Sequence, residues 1–204
     1  MNSTAPARPG SPLVLPTFVS AVELRTRRTL LRGWVDDDLE PWAEMNADPQ
    51  VRQWFVAVHE REQALAEARV MRSHLQRRGW GMWALEIPGQ WTFAGFVGLH
   101  VPGFDAPFMP AVEIGWRLRR SAWGQGLATE AAAAAAAFAF DHLGLRELVA
   151  YTAPGNAASR RVMHRLGMVH DASADFDHPR IPAEHALRRQ ALYRLAPAAL
   201  VLPM

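Results

Sequence analysis

Residues 112–130 read VEIGWRLRRSAWGQGLATE, and the fold of the whole chain follows from how this stretch is interpreted. Val112, Ile114, Trp116 and Leu118 alternate with Glu113, Gly115, Arg117 and Arg119, the period of two that marks a strand. Trp123-Gly124-Gln125-Gly126 breaks that alternation, because glycine lets the backbone turn sharply. The apolar run from Leu127 to Phe140 is too long and too rich in alanine for another strand, so a helix starts at the glycine loop. The first N–H groups of a helix lack partners, and that end carries about half a unit of positive charge, so the loop is a potential phosphate site. As a bare pattern, a Gly-Gln-Gly turn before a helix is more often a connector than a site.

Two commoner phosphate loops do not fit. A dinucleotide fingerprint needs a third small residue where Thr129 stands and a partner acid after the next strand, and a P-loop needs a lysine. The sequence contains no lysine; all 22 basic residues are arginine.

Half of the 204 residues are apolar, enough for one domain with a core and too few for two. We expect that domain over residues 22–197, after a flexible extension (1–21) and before a short tail (198–204). The opening MNSTAPARPGSPLVLPTFVSAV has no basic start followed by a long apolar core, and its prolines interrupt any helix. Ala131 to Phe140 is about half of what a bilayer requires and is bracketed by Glu130 and Asp141, so no membrane partner is expected. The lack of cysteine removes disulfides, thiolate nucleophiles and cysteine zinc sites, and fits a reducing cytoplasm. A net charge of +2 argues against a nucleic-acid partner, because such binding needs a concentrated basic stripe. No symmetric apolar stripe decides between a monomer and a homodimer.

Along the chain, residues 22–35 suggest two short strand arms around Thr26-Arg27-Arg28. Asp36, Asp37 and Asp38 supply an N-cap and first-turn charge for a helix through Leu39, Trp42, Met45 and Asn46, which Asp48-Pro49 ends. Ala64, Ala68, Met71 and Leu75 give Glu60 to Arg78 the spacing of an amphipathic helix. Strands at 82–88 and 91–100 flank a turn at Gly89-Gln90. After the Ala-rich helix come a strand near 147–152, a helix from Asn156 to Leu166, and a closing strand pair near 168–171 and 186–195. The sum is an α+β domain with a mixed sheet.

A second stretch, YTAPGNAASRRVMHRLGM at 151–168, places Asn156 at a helix start, Ser159 one turn later and Gly167 at the helix end. An Asn N-cap and a Gly C-cap account for it locally. In combination, however, EIGWRLRRSAWGQGLATEA followed by N-x-x-S-x-R-V-M-x-x-L-G-M resembles the GCN5-related N-acetyltransferase (GNAT) family, and within it the ribosomal-protein N-terminal acetyltransferases. The order of elements from about residue 22 to 195 resembles that family too, with its mostly antiparallel sheet flanked by helices.

The resemblance implies acetyl transfer from acetyl-CoA to a primary amine, either a protein N-terminus or a small molecule. It implies that the backbone of Gly124, Gln125, Gly126, Leu127, Ala128 and Thr129, with Trp123 before them, holds the pyrophosphate, and that Arg119 and Arg120 lie near the nucleotide phosphates. The pantetheine would lie along the strand at Ile114, Trp116 and Leu118, where a backbone N–H could meet the thioester oxyanion. Glu113 is then the candidate base, or else an ordinary polar residue of a strand. Many members place an acidic tyrosine seven residues after the helix-start Asn, but that position is Met163. Ser159 matches the serine of the ribosomal-protein branch and is expected at the leaving sulfur, with Asn156 on the pantetheine amides. A non-catalytic acyl-CoA-binding module is the rival from another class. On the acceptor side, Trp34, Trp54, Trp80 and Trp83 are candidate walls. The stretch His170-Asp171 to Asp175, Asp177 and His178 would border the acceptor, recognising a cationic amine or forming a solvated acidic loop. No metal is expected, since no tight ligand spacing stands out.

Overall fold

The computed structural model describes residues 13–203. Two short antiparallel strands, β1 (Leu24–Arg25) and β2 (Leu30–Arg32), form the first arm. The acidic triplet then forms a single 3-10 turn, and its role is more than helix-end charge. Asp38 is buried, its carboxylate accepts from the Val35 backbone N–H at 2.9 Å, and it takes both ends of the Arg32 guanidinium at 2.8 and 2.9 Å. Helices α1 (Leu39–Ala47), α2 (Pro49–Arg52) and α3 (Arg61–Arg78) follow. Asp48 caps α2 by accepting from the Gln50 N–H, and Gly79, at φ 75°, ends α3 in the left-handed conformation that favours glycine.

Strands β3 (Met82–Ile87), β4 (Trp91–His100) and β5 (Glu113–Leu118) continue the antiparallel sheet, with β4 and β5 paired from Gly95↔Leu118 to His100↔Glu113. The Ala-rich segment is α4 (Leu127–Asp141), in which Ala131, Ala132, Ala133, Ala135 and Ala136 are all buried. So many consecutive buried positions require cover on more than one side. The sheet lies on one side and α5 (Ala157–Arg165) on another, and alanine serves both contacts while being the best helix former. Strands β6 (Leu148–Thr152), β7 (Val169–His170), β8 (Phe176–Asp177) and β9 (Arg189–Leu195) complete the order β1-β2-β3-β4-β5-β6-β9-β7, with β8 on β9.

The sheet is discontinuous at its middle. β5 and β6 run parallel and pair at Glu113↔Val149, with Val149 N–H donating to the Val112 carbonyl at 3.0 Å. Beyond that bridge the strands part, and residues 114–118 face β6 without a ladder partner.

The start of the domain departs from the sequence reading. Residues 1–12 and 204 lie outside the described region, but the later part of the stretch expected to be a flexible extension is docked on the body. Phe18 N–H donates to the Arg78 carbonyl at 2.9 Å, Trp80 Nε1 donates to the Pro16 carbonyl at 2.9 Å, and the Phe18 ring lies 5.6 Å from that of Phe138. In the tail, Val201 N–H donates to the Leu166 carbonyl at 3.1 Å. Among the described residues, no helix is long and apolar enough to cross a membrane.

Candidate active site

The parting of β5 from β6 opens a cleft of about 1010 Å³. Its floor includes Ile114, Gly115, Trp116 and Leu118 of β5, and one end is the loop Trp123, Gly124, Gly126 and the first turn of α4 through Thr129. Gly124 and Gly126 take φ values of 74° and 78°, so the loop relies on residues without a Cβ penalty. Trp123 Nε1 donates to the Leu118 carbonyl at 2.8 Å and folds the loop back onto the end of β5. The Thr129 hydroxyl is buried without a partner, at the helix start where unpaired N–H groups also gather.

The loop is held by contacts that the sequence did not suggest. Glu130 accepts from the Thr26 hydroxyl at 2.7 Å, the Arg28 backbone N–H at 2.8 Å and Arg28 Nε at 2.7 Å, while Arg28 Nη1 donates to the Gln125 carbonyl at 3.0 Å. The β1–β2 arm is thereby tied to α4. Burial pushes the Glu130 carboxyl up, but the Thr26 and Arg28 bonds outweigh it and hold the group below its ordinary value. A depressed carboxyl adds stability above its unfolded pKa and loses it as pH falls through the folded one. Glu130→Gln is expected to cost about 1–2 kcal/mol in urea unfolding at pH 7, and the difference from the native chain should vanish in acid.

Across the cleft, Asn156 caps α5. Its Oδ1 accepts from the Ser159 N–H at 3.1 Å, and its Nδ2 donates to Thr152 Oγ1 at 2.9 Å and to Ser159 Oγ at 3.1 Å. The amide N–H groups are therefore used within the protein, Oδ1 keeps one lone pair, and Asn156 fixes Ser159. Because Ser159 Oγ already accepts one bond, its own proton is available towards the cleft that it lines. Met163 is core.

Two of the residues expected at the donor face elsewhere. Arg119 and Arg120 border a separate groove of about 290 Å³, because Arg119 N–H is pinned to the Ala94 carbonyl and the chain then makes a 3-10 turn. There Arg119 lies over Trp91 at 5.8 Å and Arg120 approaches Asp48 at 3.8 Å. The Gln125 side chain bonds back to the Ser121 carbonyl at 2.9 Å. The cleft's basic side chains from this half are Arg161 and Arg165 of α5, whose i, i+4 spacing was the available signal.

At the opposite end of β5, Glu113 points into the cleft beside His100 and Tyr151, with its Oε2 buried and 3.4 Å from His100 Nε2. Burial raises the Glu113 carboxyl above its ordinary value, and His100 and the Tyr151 hydroxyl offset only part of this. Burial, and next the charge of Glu113, raise the Tyr151 phenol as well. Of the four candidate tryptophans only Trp54 lines the cleft; Trp34, Trp80 and Trp83 are core. A Cβ at Gly155 would lie 2.9 Å from the Trp54 ring, so the segment after α2 and the loop before α5 close over the cleft. The carboxylates of the acidic loop are paired with basic side chains. Asp171 pairs with Arg194, Asp175 with His170, and Asp177 with Arg188 and Arg189. Among the described residues, no cluster of three His, Asp or Glu side chains is placed to hold a metal ion.

A family model described as an acetyltransferase (GNAT) domain matches residues 28–169. The chain belongs to the GNAT acetyltransferase family. GNAT enzymes are acyltransferases that draw on acetyl-CoA, and the mixed, mostly antiparallel sheet with flanking helices is the architecture of this chain's structural neighbours. A 99-residue stretch is 35% identical to the FsC-acetyl coenzyme A-N(2)-transacetylase of Aspergillus fumigatus, spanning 43% of this chain and 42% of that relative's length. The Bacillus subtilis protein YkkB is 29% identical over 147 residues, 72% of this chain and 84% of YkkB. An Agrobacterium tumefaciens acetyltransferase structure superposes with a TM-score of 0.68 at 25% identity, over 87% of this chain and 96% of that one. A Vibrio cholerae protein, provisionally assigned as a ribosomal-protein-serine acetyltransferase, gives 0.71 at 18% identity over 88% of this chain and 100% of its own. At that identity the likeness is one of fold.

Proposed function

We propose that this GNAT chain acetylates a primary amine by direct attack on acetyl-CoA within a ternary complex. One observation carries the reading: the β6-facing edge of β5 has no ladder partner from Ile114 to Leu118, where Trp123 Nε1 takes the last carbonyl, and it runs directly into a glycine loop at a helix start. The edge suits a pantetheine arm that pairs like an added strand. The loop amides, the Thr129 hydroxyl and the positive end of α4 suit the diphosphate. Arg161 and Arg165 take the nucleotide-phosphate role first given to Arg119 and Arg120.

The acceptor approaches on the face where Gly115 lies between Glu113 and Arg117. Nothing at Gly115 projects into that path; a Cβ there would have Met82 Cε as its nearest neighbour at 3.5 Å. Attack needs a neutral amine, whereas a free α-amine titrates near 8 and a lysine-type amine near 10.4. Glu113, as carboxylate, takes the proton directly or through water. Backbone N–H groups of β5 hold the developing charge on the carbonyl oxygen, and the Ser159 hydroxyl donates to the departing sulfur.

Thiol release from acetyl-CoA with a panel of small amines and N-terminal peptides tests the reading. Release that depends on the acceptor supports it; CoA binding without release from any acceptor favours the non-catalytic binding module. Ser159→Ala is expected to lower kcat by roughly tenfold or more while CoA affinity changes less than about twofold, because the bond forms as the thiolate leaves. Equal losses in both would reduce Ser159 to a positioning residue.

A further inference from the structure

The acceptor face of β5 ends in a charge cluster that acetyl transfer does not use. Arg117, only 8% exposed, lies below Phe55 at 4.2 Å, and Arg52 of α2, 6% exposed, lies 4.4 Å from the same ring. Arg117 Nη1 donates to Asn46 Oδ1 at 2.6 Å and to Glu67 Oε2 at 3.2 Å, while its Nε is buried with no hydrogen-bond partner. Arg52 donates to the Ala57 carbonyl at 2.9 Å and to Asn46 at 3.3 Å. Both arginines line the cleft that contains Gly115 and Glu113.

The cluster is one negative charge short. Glu67 pairs with Arg117 at 3.2 Å and is approached by His59 Nδ1 at 3.5 Å, while Arg52 has no carboxylate partner of its own. An arginine left with an unbonded buried N–H normally costs stability, so such an arrangement asks for an anion. Burial, and then the charge of Arg117, lowers Arg52 to about 10, consistent with that shortage. Burial, and then Arg52, lowers His59, so the imidazole adds little positive charge near neutrality.

We infer that Arg52 and Arg117 form a carboxylate subsite of the acceptor pocket, so that the amine acetylated by this chain carries a carboxylate of its own. The inference rests on the amine-acetyltransferase reading above and adds the class of acceptor. With Arg117 Nη1 committed, the Nε side of its fork remains, and a planar carboxylate matches a guanidinium fork in shape and in a single charge. Gly115 and Arg117 are same-face neighbours on β5, so an amine over Gly115 with a carboxylate on Arg117 matches a short ω-amino acid. Trp54, Phe55 and Val70 supply apolar wall for that linker.

The test compares kcat/KM at saturating acetyl-CoA for 5-aminopentanoate and 6-aminohexanoate with their primary amides. The acids are expected to be at least tenfold better, and Arg52→Gln should shrink the acid-to-amide ratio at least fivefold, with CoA binding as the check that the variant is folded. If that variant does not fold, the native acid-to-amide ratio decides alone. Equal efficiency for acids and amides, or transfer to neither while CoA binds, overturns the carboxylate subsite and leaves the donor-site reading standing. A protein that binds no CoA overturns the donor site, and this inference with it.

Discussion

Gly126→Asp is expected to weaken CoA binding by roughly 100-fold or more, a loss of about 2.8 kcal/mol. Gly126 is the residue before α4, at φ 78°, a conformation in which any Cβ is strained. An added Cβ would lie 3.5 Å from Arg28 Nη2, so the new carboxylate meets a guanidinium already held by Glu130 and stays at the helix start. It then occupies the place of the diphosphate with like charge. The same pairing should keep the variant folded, which separates lost binding from lost structure. Titration calorimetry with CoA, alongside a thermal melt, reads both. Unchanged affinity would make the loop a connector.

Glu113→Gln is expected to lower kcat/KM by roughly 10²–10³-fold, the range typical of a positioned general base, with little change in CoA affinity. In the native enzyme, kcat/KM should rise with pH through the Glu113 carboxyl, which burial has raised above its ordinary value, and the glutamine variant should lack that limb. Stability moves the other way. A carboxyl whose folded pKa is raised contributes stability that is present below its unfolded pKa and lost as pH rises through the folded value. Glu113→Gln should therefore melt higher than the native chain at neutral pH, with the gap closing in acid. Retained activity together with an unchanged pH profile would assign proton removal to solvent or to another group.

What the sequence could disclose was local. Alternation located β5, the alanine run located α4, and Asn156 and Ser159 announced a helix start, because these signals lie within one or two turns of chain. The parting of β5 from β6 was not legible, since the pairing of residues 36 positions apart is set by the twist and packing of the whole sheet. The same limit hid the Arg52, Arg117 and Glu67 cluster, whose members come from α2, β5 and α3. Arg119 and Arg120 were misplaced because the 3-10 turn after β5, pinned to Ala94, carries their side chains to another groove. Trp34, Trp80 and Trp83 offered the same surface as pocket walls, yet each ring is buried and its indole N–H finds a backbone carbonyl of the protein. Phe18 docks on Phe138, a contact that a proline-interrupted sequence does not signal.

The central claim is that the open edge of β5 and the glycine loop together form the donor site. A crystal structure with CoA bound tests it most directly. The expected result is a pantetheine arm hydrogen-bonded to the β5 backbone between Ile114 and Leu118, a diphosphate on the amides of Gly124 to Thr129, and a sulfur within reach of Ser159 Oγ. CoA bound elsewhere, or β6 closed against β5 along residues 114–118, would contradict it.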